Sequence, residues 1–269
     1  MYSDVPWRLI RSLSRKKERE STKLTVAEGP SVVLSALEAG VELCAVVLTE
    51  EFARSGKGHG ILEAVAKHPD AGRLFVVSEE LYSRMSGTKS PQGAMSLLSF
   101  PFRFARGEPG NTWAEALDIV GVDIQDPGNV GTLIRTGACA GASSVIICGQ
   151  GADPFSPKVI RASAGAIFKT RIIFDDDCIN LLRRIHDSGK LIYKAVPRGG
   201  IMPWEAGFRS PCTVVLGNEA RGLGPEIIEL PGDCITVPMP GGTESLNVAM
   251  ACSALVYEAV RQRTKASDV

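Results

Sequence analysis

Three short stretches, far apart along this 269-residue chain, carry the polar side chains best suited to chemistry. The first is Asp123-Ile124-Gln125-Asp126-Pro127-Gly128-Asn129, the second Val215-Leu216-Gly217-Asn218-Glu219. The third runs from Val237 through Pro238-Met239-Pro240-Gly241-Gly242 to Ser245-Leu246-Asn247. In each, an apolar strand stops at Pro or Gly, and in the first and third a helix opening on short polar side chains follows. Such junctions leave backbone N–H and C=O groups exposed, which suits a small polar cofactor. Three of them can enclose one site.

Taken singly, each stretch has a plain structural explanation. Asp126-Pro127-Gly128 is a turn by composition and delivers Asn129 to a helix start, where Asn129 can serve as a cap. On that helix Gly131 and Arg135, at i and i+4, share a face, so the guanidinium lies beside bare backbone that a phosphate or ribose can approach; otherwise Arg135 is a surface residue. Gly217 permits close backbone approach, and Asn218 and Glu219 set an amide and a carboxylate at a strand end, as an ordinary capped turn also would. Ser245 is a natural N-cap and Asn247 falls in the first helical turn, but capping does not account for Pro238, Gly241 and Gly242 before them. No Gly-Lys-Ser/Thr follows the second stretch and no G-x-G-x-x-G follows the first strand, which disfavours nucleoside triphosphates and dinucleotides and, with them, a nucleotide-dependent oxidoreductase.

The elements that must position these loops alternate. Residues 1–105 read as a small α/β unit, with helices at 31–39, 61–67 and 79–85, strands at 43–48, 74–77 and 94–100, and a largely parallel sheet implied. Residues 106–116 fall in a linker stretch marked by Arg106, Gly107, Pro109 and Gly110. Residues 117–269 repeat the alternation at greater length: strands at 118–122, 143–148, 168–174, 191–196, 213–216 and 235–237, helices at 130–140 and 178–188, and a terminal helix after Ser245. This is a doubly wound parallel sheet, in which ligands sit beyond the carboxyl ends of the strands.

Composition narrows the function classes. The chain is 44% hydrophobic, enough for a substantial core. No apolar run reaches the ~20 residues needed to cross a bilayer, and the N-terminus lacks an apolar leader, so a cytoplasmic location is expected. The seven cysteines form no C-x-x-C pair and mostly sit in apolar segments, as buried reduced thiols do. The three histidines, His59, His68 and His186, lie outside the three stretches, so neither a metal site nor a Ser-His-Asp relay is expected. Basic and acidic residues balance at 30 each, yet residues 1–24 hold seven basic against three acidic, a short helical arm able to follow a phosphate backbone or simply a solvated face.

Together the three stretches, with Arg135-Thr136 closing the first and Gly222-Leu223 the second, resemble the three ordered motifs of the SpoU (TrmH) family of RNA ribose 2′-O-methyltransferases. The likeness covers about residues 117–262, and Arg161-Ala162-Ser163-Ala164-Gly165 resembles a further family segment. Thr132 stands where many members carry Ala. The resemblance implies an S-adenosylmethionine-dependent homodimer with a deep trefoil knot and a separate N-terminal substrate-binding domain. It implies that Leu216, Gly217, Asn218, Val237, Met239 and Leu246 hold the adenosyl group. Asn129, Arg135, Glu219, Ser245 and Asn247 would form the reactive site, and Arg8, Arg11, Arg15, Lys16 and Arg161 would meet RNA. Ribosomal RNA, 23S in particular, is the expected substrate; a transfer RNA enzyme and a non-catalytic ribosome-assembly protein are the alternatives.

Overall fold

The computed structural model describes residues 5–68, 72–99 and 117–264. Two compact units divide the chain, Met1–Arg103 with Asp153–Lys169, and Phe104–Ala152 with Thr170–Val269. The sequence-based end of the first unit at 105 and the linker expected at 106–116 lie outside the described residues. The grouping of 153–169 with the first unit is something a linear cut does not anticipate.

The first unit contains α1 (Trp7–Ser12), α2 (Lys16–Thr22), β1 (Leu24–Glu28), α3 (Pro30–Glu38), β2 (Leu43–Thr49), α4 (Glu50–Ala53), α5 (Gly56–Lys67), β3 (Arg73–Val77), α6 (Glu79–Met85) and β4 (Ala94–Ser99). Its sheet has the order β1-β4-β2-β3. β2 and β3 are parallel, but β4 is antiparallel to both its neighbours, with Val26 opposite Leu97 and Val47 opposite Met95. The expected largely parallel sheet is therefore a mixed one. The chain turns back between α6 and β4 through a segment containing Gly87, Pro91 and Gly93, and β1, overlooked because only Leu24, Val26 and Ala27 of its five residues are apolar, supplies the other antiparallel partner.

The basic N-terminal stretch is not a free arm. Val5, Ile10 and Leu13 are buried in one cluster with Val26, Val47, Tyr82 and Met95, which fixes α1 on the sheet. Arg19 is buried as well; its guanidinium donates to the Leu13 and Ser14 carbonyls and pairs with Asp153. Beyond Asp153, the Phe155 carbonyl accepts from Thr25 Oγ1 at 2.8 Å and a short helix, Pro157–Ala162, packs on β1. These contacts are why 153–169 clusters with the first unit.

The second unit holds β5 (Leu117–Val122), a helix at Pro127–Cys139 (α7, which makes Pro157–Ala162 α8), β6 (Ser144–Cys148), β7 (Ile172–Asp175), α9 (Cys178–Asp187), β8 (Leu191–Ala195), β9 (Cys212–Leu216), α10 (Pro225–Ile228), β10 (Asp233–Ile235) and α11 (Val248–Arg263). The strand expected at 168–174 begins only at Ile172, because Ala166–Phe168 forms a 3₁₀ turn. All six strands are parallel, in the order β10-β8-β9-β5-β6-β7. Every residue of β5, β6 and β9 is buried, as a sheet covered on both faces demands. Because the strands are parallel, the loops after β5, β6, β8, β9 and β10 all open at one edge, with the reversal of strand order between β5 and β9.

At the amino-terminal end of β5, Asp118 is buried in an ion pair with Lys190 and accepts a 2.7 Å hydrogen bond from Ser144 Oγ. Removing one partner strands a charge in the core, a loss of about 3–5 kcal/mol. Lys190→Met should therefore lower unfolding free energy by that order in urea titration, and adding Asp118→Asn should recover a substantial part. A single variant as stable as wild type would contradict this.

Candidate active site at the carboxyl edge of the sheet

Asp126 rather than Asn129 caps α7: its Oδ1 accepts from the Gly128 N–H at 3.0 Å, and Pro127 occupies the first turn, where its missing N–H costs nothing. Asn129 is thereby placed inside the first turn, buried, with its side chain free for other work. Asn247 likewise, not Ser245, caps α11, its Oδ1 accepting from Ala249 N–H at 2.9 Å and Met250 N–H at 3.3 Å. Ser245 lies two residues earlier and is exposed. Gly217 must be glycine, since a Cβ there would meet Gly222 carbonyl carbon at 2.3 Å. That close approach accompanies a reciprocal backbone pair between Asn218 and Gly222, which closes the loop holding Glu219.

One polar chain joins the three loops. Glu219 accepts from the backbone N–H groups of Gln125 and Asp126, each at 3.1 Å, and from Asn129 Nδ2 at 2.9 Å. Asn129 Oδ1 in turn accepts from Asn247 Nδ2 at 3.1 Å. Partial burial pushes the Glu219 carboxyl up, but the hydrogen bonds from Asn129, Gln125, its own N–H and Asp126 outweigh this and hold it below the ordinary carboxylate value. With three donors from other residues already on it, Glu219 is an anchor for positioning and a poor proton acceptor.

Beside this chain lies a cavity of about 740 Å³, lined by Leu216, Gly217, Asn218, Glu219, Val237, Met239, Ser245, Leu246 and Asn247. All six residues expected to hold a cofactor line it, as do three of the five expected at the reactive site. Asn129 reaches it through Glu219 and Asn247. Arg135 does not line it; it stands on the exposed side of α7, about one and a half turns beyond Asn129. Gly131 is buried, so the bare backbone expected beside Arg135 is not on offer. Thr132, too, turns inward on its own helix, donating to the Gly128 carbonyl at 2.8 Å.

The wall formed by Ala195, Val196, Pro197, Arg198 and Gly199 escaped the sequence reading. Its signal was available, since Pro197-Arg198-Gly199-Gly200 after an apolar strand is a junction of the same kind as the other three. The RNA-contact candidates lie in the first unit. Arg8, Arg11, Arg15 and Lys16 are exposed, with Arg15 3.4 Å from Glu18 and Lys16 3.8 Å from Glu20. Arg161 is half-buried and 3.4 Å from the buried carboxylate of Glu28. Among the described residues no cluster of His, Cys, Asp or Glu fit for a metal is found, and no helix is long and apolar enough to cross a membrane. Of the seven cysteines only Cys148, Cys212 and Cys252 are buried, fewer than expected.

Residues 116–257 match the SpoU rRNA Methylase family, and residues 8–96 match the MRM3-like substrate binding domain. The chain is 31% identical over 268 residues to an uncharacterized tRNA/rRNA methyltransferase of Synechocystis, covering 96% of this chain and 91% of the relative. It is 28% identical to the 23S rRNA (guanosine(2553)-2′-O)-methyltransferase RlmP of Bacillus subtilis, with 92% of each covered. An AdoMet-bound rRNA methyltransferase from Sinorhizobium meliloti superposes with a TM-score of 0.82 at 25% identity, over 98% of this chain and 97% of that one.

Because the Glu219 carboxyl sits low, the stability it confers is fully present above the ordinary value of 4.5 and is lost as pH falls through its folded value. Glu219→Gln should therefore melt below wild type at pH 7, with the gap closing as pH drops below about 4.5. A gap that is constant or widens on acidification would show that the carboxylate is not the anchor.

Proposed function

The chain belongs to the SpoU rRNA methylase family, and from that premise we propose that it uses S-adenosylmethionine to methylate a ribose 2′-hydroxyl of ribosomal RNA, 23S in particular. The observation that carries this is the hydrogen-bond chain from Glu219 through Asn129 to Asn247 along the edge of the cavity. It binds three distant loops into a preformed polar edge, which is what placing a weakly nucleophilic hydroxyl requires.

The cavity fits the donor chemically. Leu216, Val237, Met239 and Leu246 give apolar walls for an adenosyl group, while Gly217 and Asn218 bring backbone close. When bound, S-adenosylmethionine supplies a methyl group on a positively charged sulfur. Asn247 and Ser245 orient the ribose, Asn129 acts through Asn247, and Glu219 keeps the two amides in place. Arg135 is not given the part of a base, since a guanidinium presents five donors and no acceptor. Its exposed, fork-shaped donor instead clamps the phosphate beside the target and favours negative charge on the 2′-oxygen.

The MRM3-like domain, with exposed Arg8, Arg11, Arg15 and Lys16, is the RNA-gripping part of this proposal, and Arg161, although paired with Glu28, keeps part of its surface open on the same unit. A homodimer is also proposed, supported by Met250 and Tyr257, which leave 60% and 51% of their surface exposed on one side of α11. The trefoil knot belongs to the same proposal: the chain leaves β10 at the sheet edge, yet α11 returns to pack on α7 and central β9. The cytoplasm is the proposed location.

Transfer of a tritiated methyl group to total RNA, followed by mass-spectrometric mapping of ribose methylation in 23S RNA, tests the activity; label appearing only in transfer RNA would overturn the substrate. Arg135→Lys should cut kcat by about 10²-fold or more with donor affinity unchanged, because an ammonium cannot make the forked contact. Turnover near wild type would end the clamp. Deleting residues 1–103 is a poor test of RNA binding because it strips the support of 153–169. Charge reversal at Arg8, Arg11 and Arg15 is cleaner: it should weaken RNA binding and flatten its salt dependence, with donor binding untouched.

A further inference from the structure

Asp123 lies outside the polar chain yet bonds to Gln125 and Asn218, on the two loops that Glu219 joins. It follows β5 directly and holds φ at +53°, one of three non-glycine residues among those described in the left-handed region. Side chains branched at Cβ are excluded from that region, whereas Asp and Asn enter it with little penalty. The turn sends the groups of this one residue in different directions. Its N–H donates to the Cys148 carbonyl at the end of β6, at 2.9 Å. Its carbonyl accepts from Asn218 Nδ2 at 2.9 Å and from Gln125 Nε2 at 3.1 Å. Its carboxylate Oδ1 accepts from Gln150 N–H at 2.6 Å, which ties the turn to the loop after β6.

Asn218 converts this into loop geometry. With Nδ2 held by Asp123, its Oδ1 accepts from both Ala220 and Arg221 N–H at 3.0 Å. The Asn218 side chain therefore has one orientation, and the 218–222 loop that carries Glu219 along the cavity takes its position from it. We propose that Asp123 is a positioning residue for donor binding: its left-handed turn aims the carbonyl that seats the 218–222 loop, and its carboxylate latches that turn to the loop after β6. This rests on the cavity being the S-adenosylmethionine site.

Full-length Asp123→Asn, Asp123→Gly and Asp123→Val separate the components. Isothermal titration with S-adenosylmethionine measures donor affinity, and hydrogen exchange at 218–222 reports on loop seating without any donor. Asn keeps both the turn and an acceptor, so affinity should stay within about twofold, and Gly keeps the turn alone, so it should weaken by about threefold at most. Val cannot hold the turn and should weaken binding by about tenfold, the worth of one well-made hydrogen bond, with faster exchange at 218–222. Should Asp123→Val fail to fold, Asp123→Thr, also branched at Cβ but polar, takes its place. Gly and Val weakened alike, or Val matching wild type in both affinity and exchange, would overturn the proposal. A wild-type protein that does not bind the donor would overturn the cofactor assignment instead, while exchange at 218–222 still decides the part played by Asp123.

Discussion

β5 and β9 lie side by side, parallel, with Gly121 opposite Leu216. That register constrains everything at the site. It brings the chain just after β5 and the chain just after β9 to the same level of the sheet, so a carboxylate on one loop meets backbone donors on the other. Glu219 uses this placement to collect Gln125, Asp126 and Asn129. A slip of one residue would carry Glu219 about 3.3 Å along the strand and turn its side chain to the opposite face of the sheet. No local propensity could make good that loss.

The third loop joins by a different route. β10 lies at the sheet edge beside β8, well away from β5. Asn247 reaches Asn129 because the chain runs back from β10 and α11 packs along α7, where Thr136 and Ser253 hydroxyls also meet at 3.2 Å. The same asparagine caps α11 with its Oδ1 and holds Asn129 with its Nδ2. A side chain of this size thus serves helix termination and site construction at once, as the two-sided donor and acceptor character of an amide allows.

The first unit shows how strongly tertiary contacts override linear order. Arg19 reaches Asp153 and Thr25 reaches Phe155, each across more than a hundred residues, and these contacts gather 153–169 into a unit that the sequence splits. The same contacts turn a stretch of positive charge into two helices partly built into a core. Arg8, Arg11 and Arg15 stay exposed while Arg19 does not, although all four look alike by type and spacing.

By itself the sequence determined the alternation of elements in the second half of the chain and the three strand-end loops, because runs of apolar residues ended by Pro or Gly are set by local chemistry; which residues of those loops face a cofactor came from the family resemblance alone. It did not determine which polar residue caps which helix, since Asp126 and Asn129, or Ser245 and Asn247, are equally able by type and only the path of the chain selects one. Nor did it disclose β1, the mixed first sheet, the wall at 195–199, the left-handed turn at Asp123 or the burial of Gly131. Each of these depends on what a residue meets across the fold. Strand pairing, positive φ and burial are properties of neighbours distant in the chain, so only the tertiary structure could decide them.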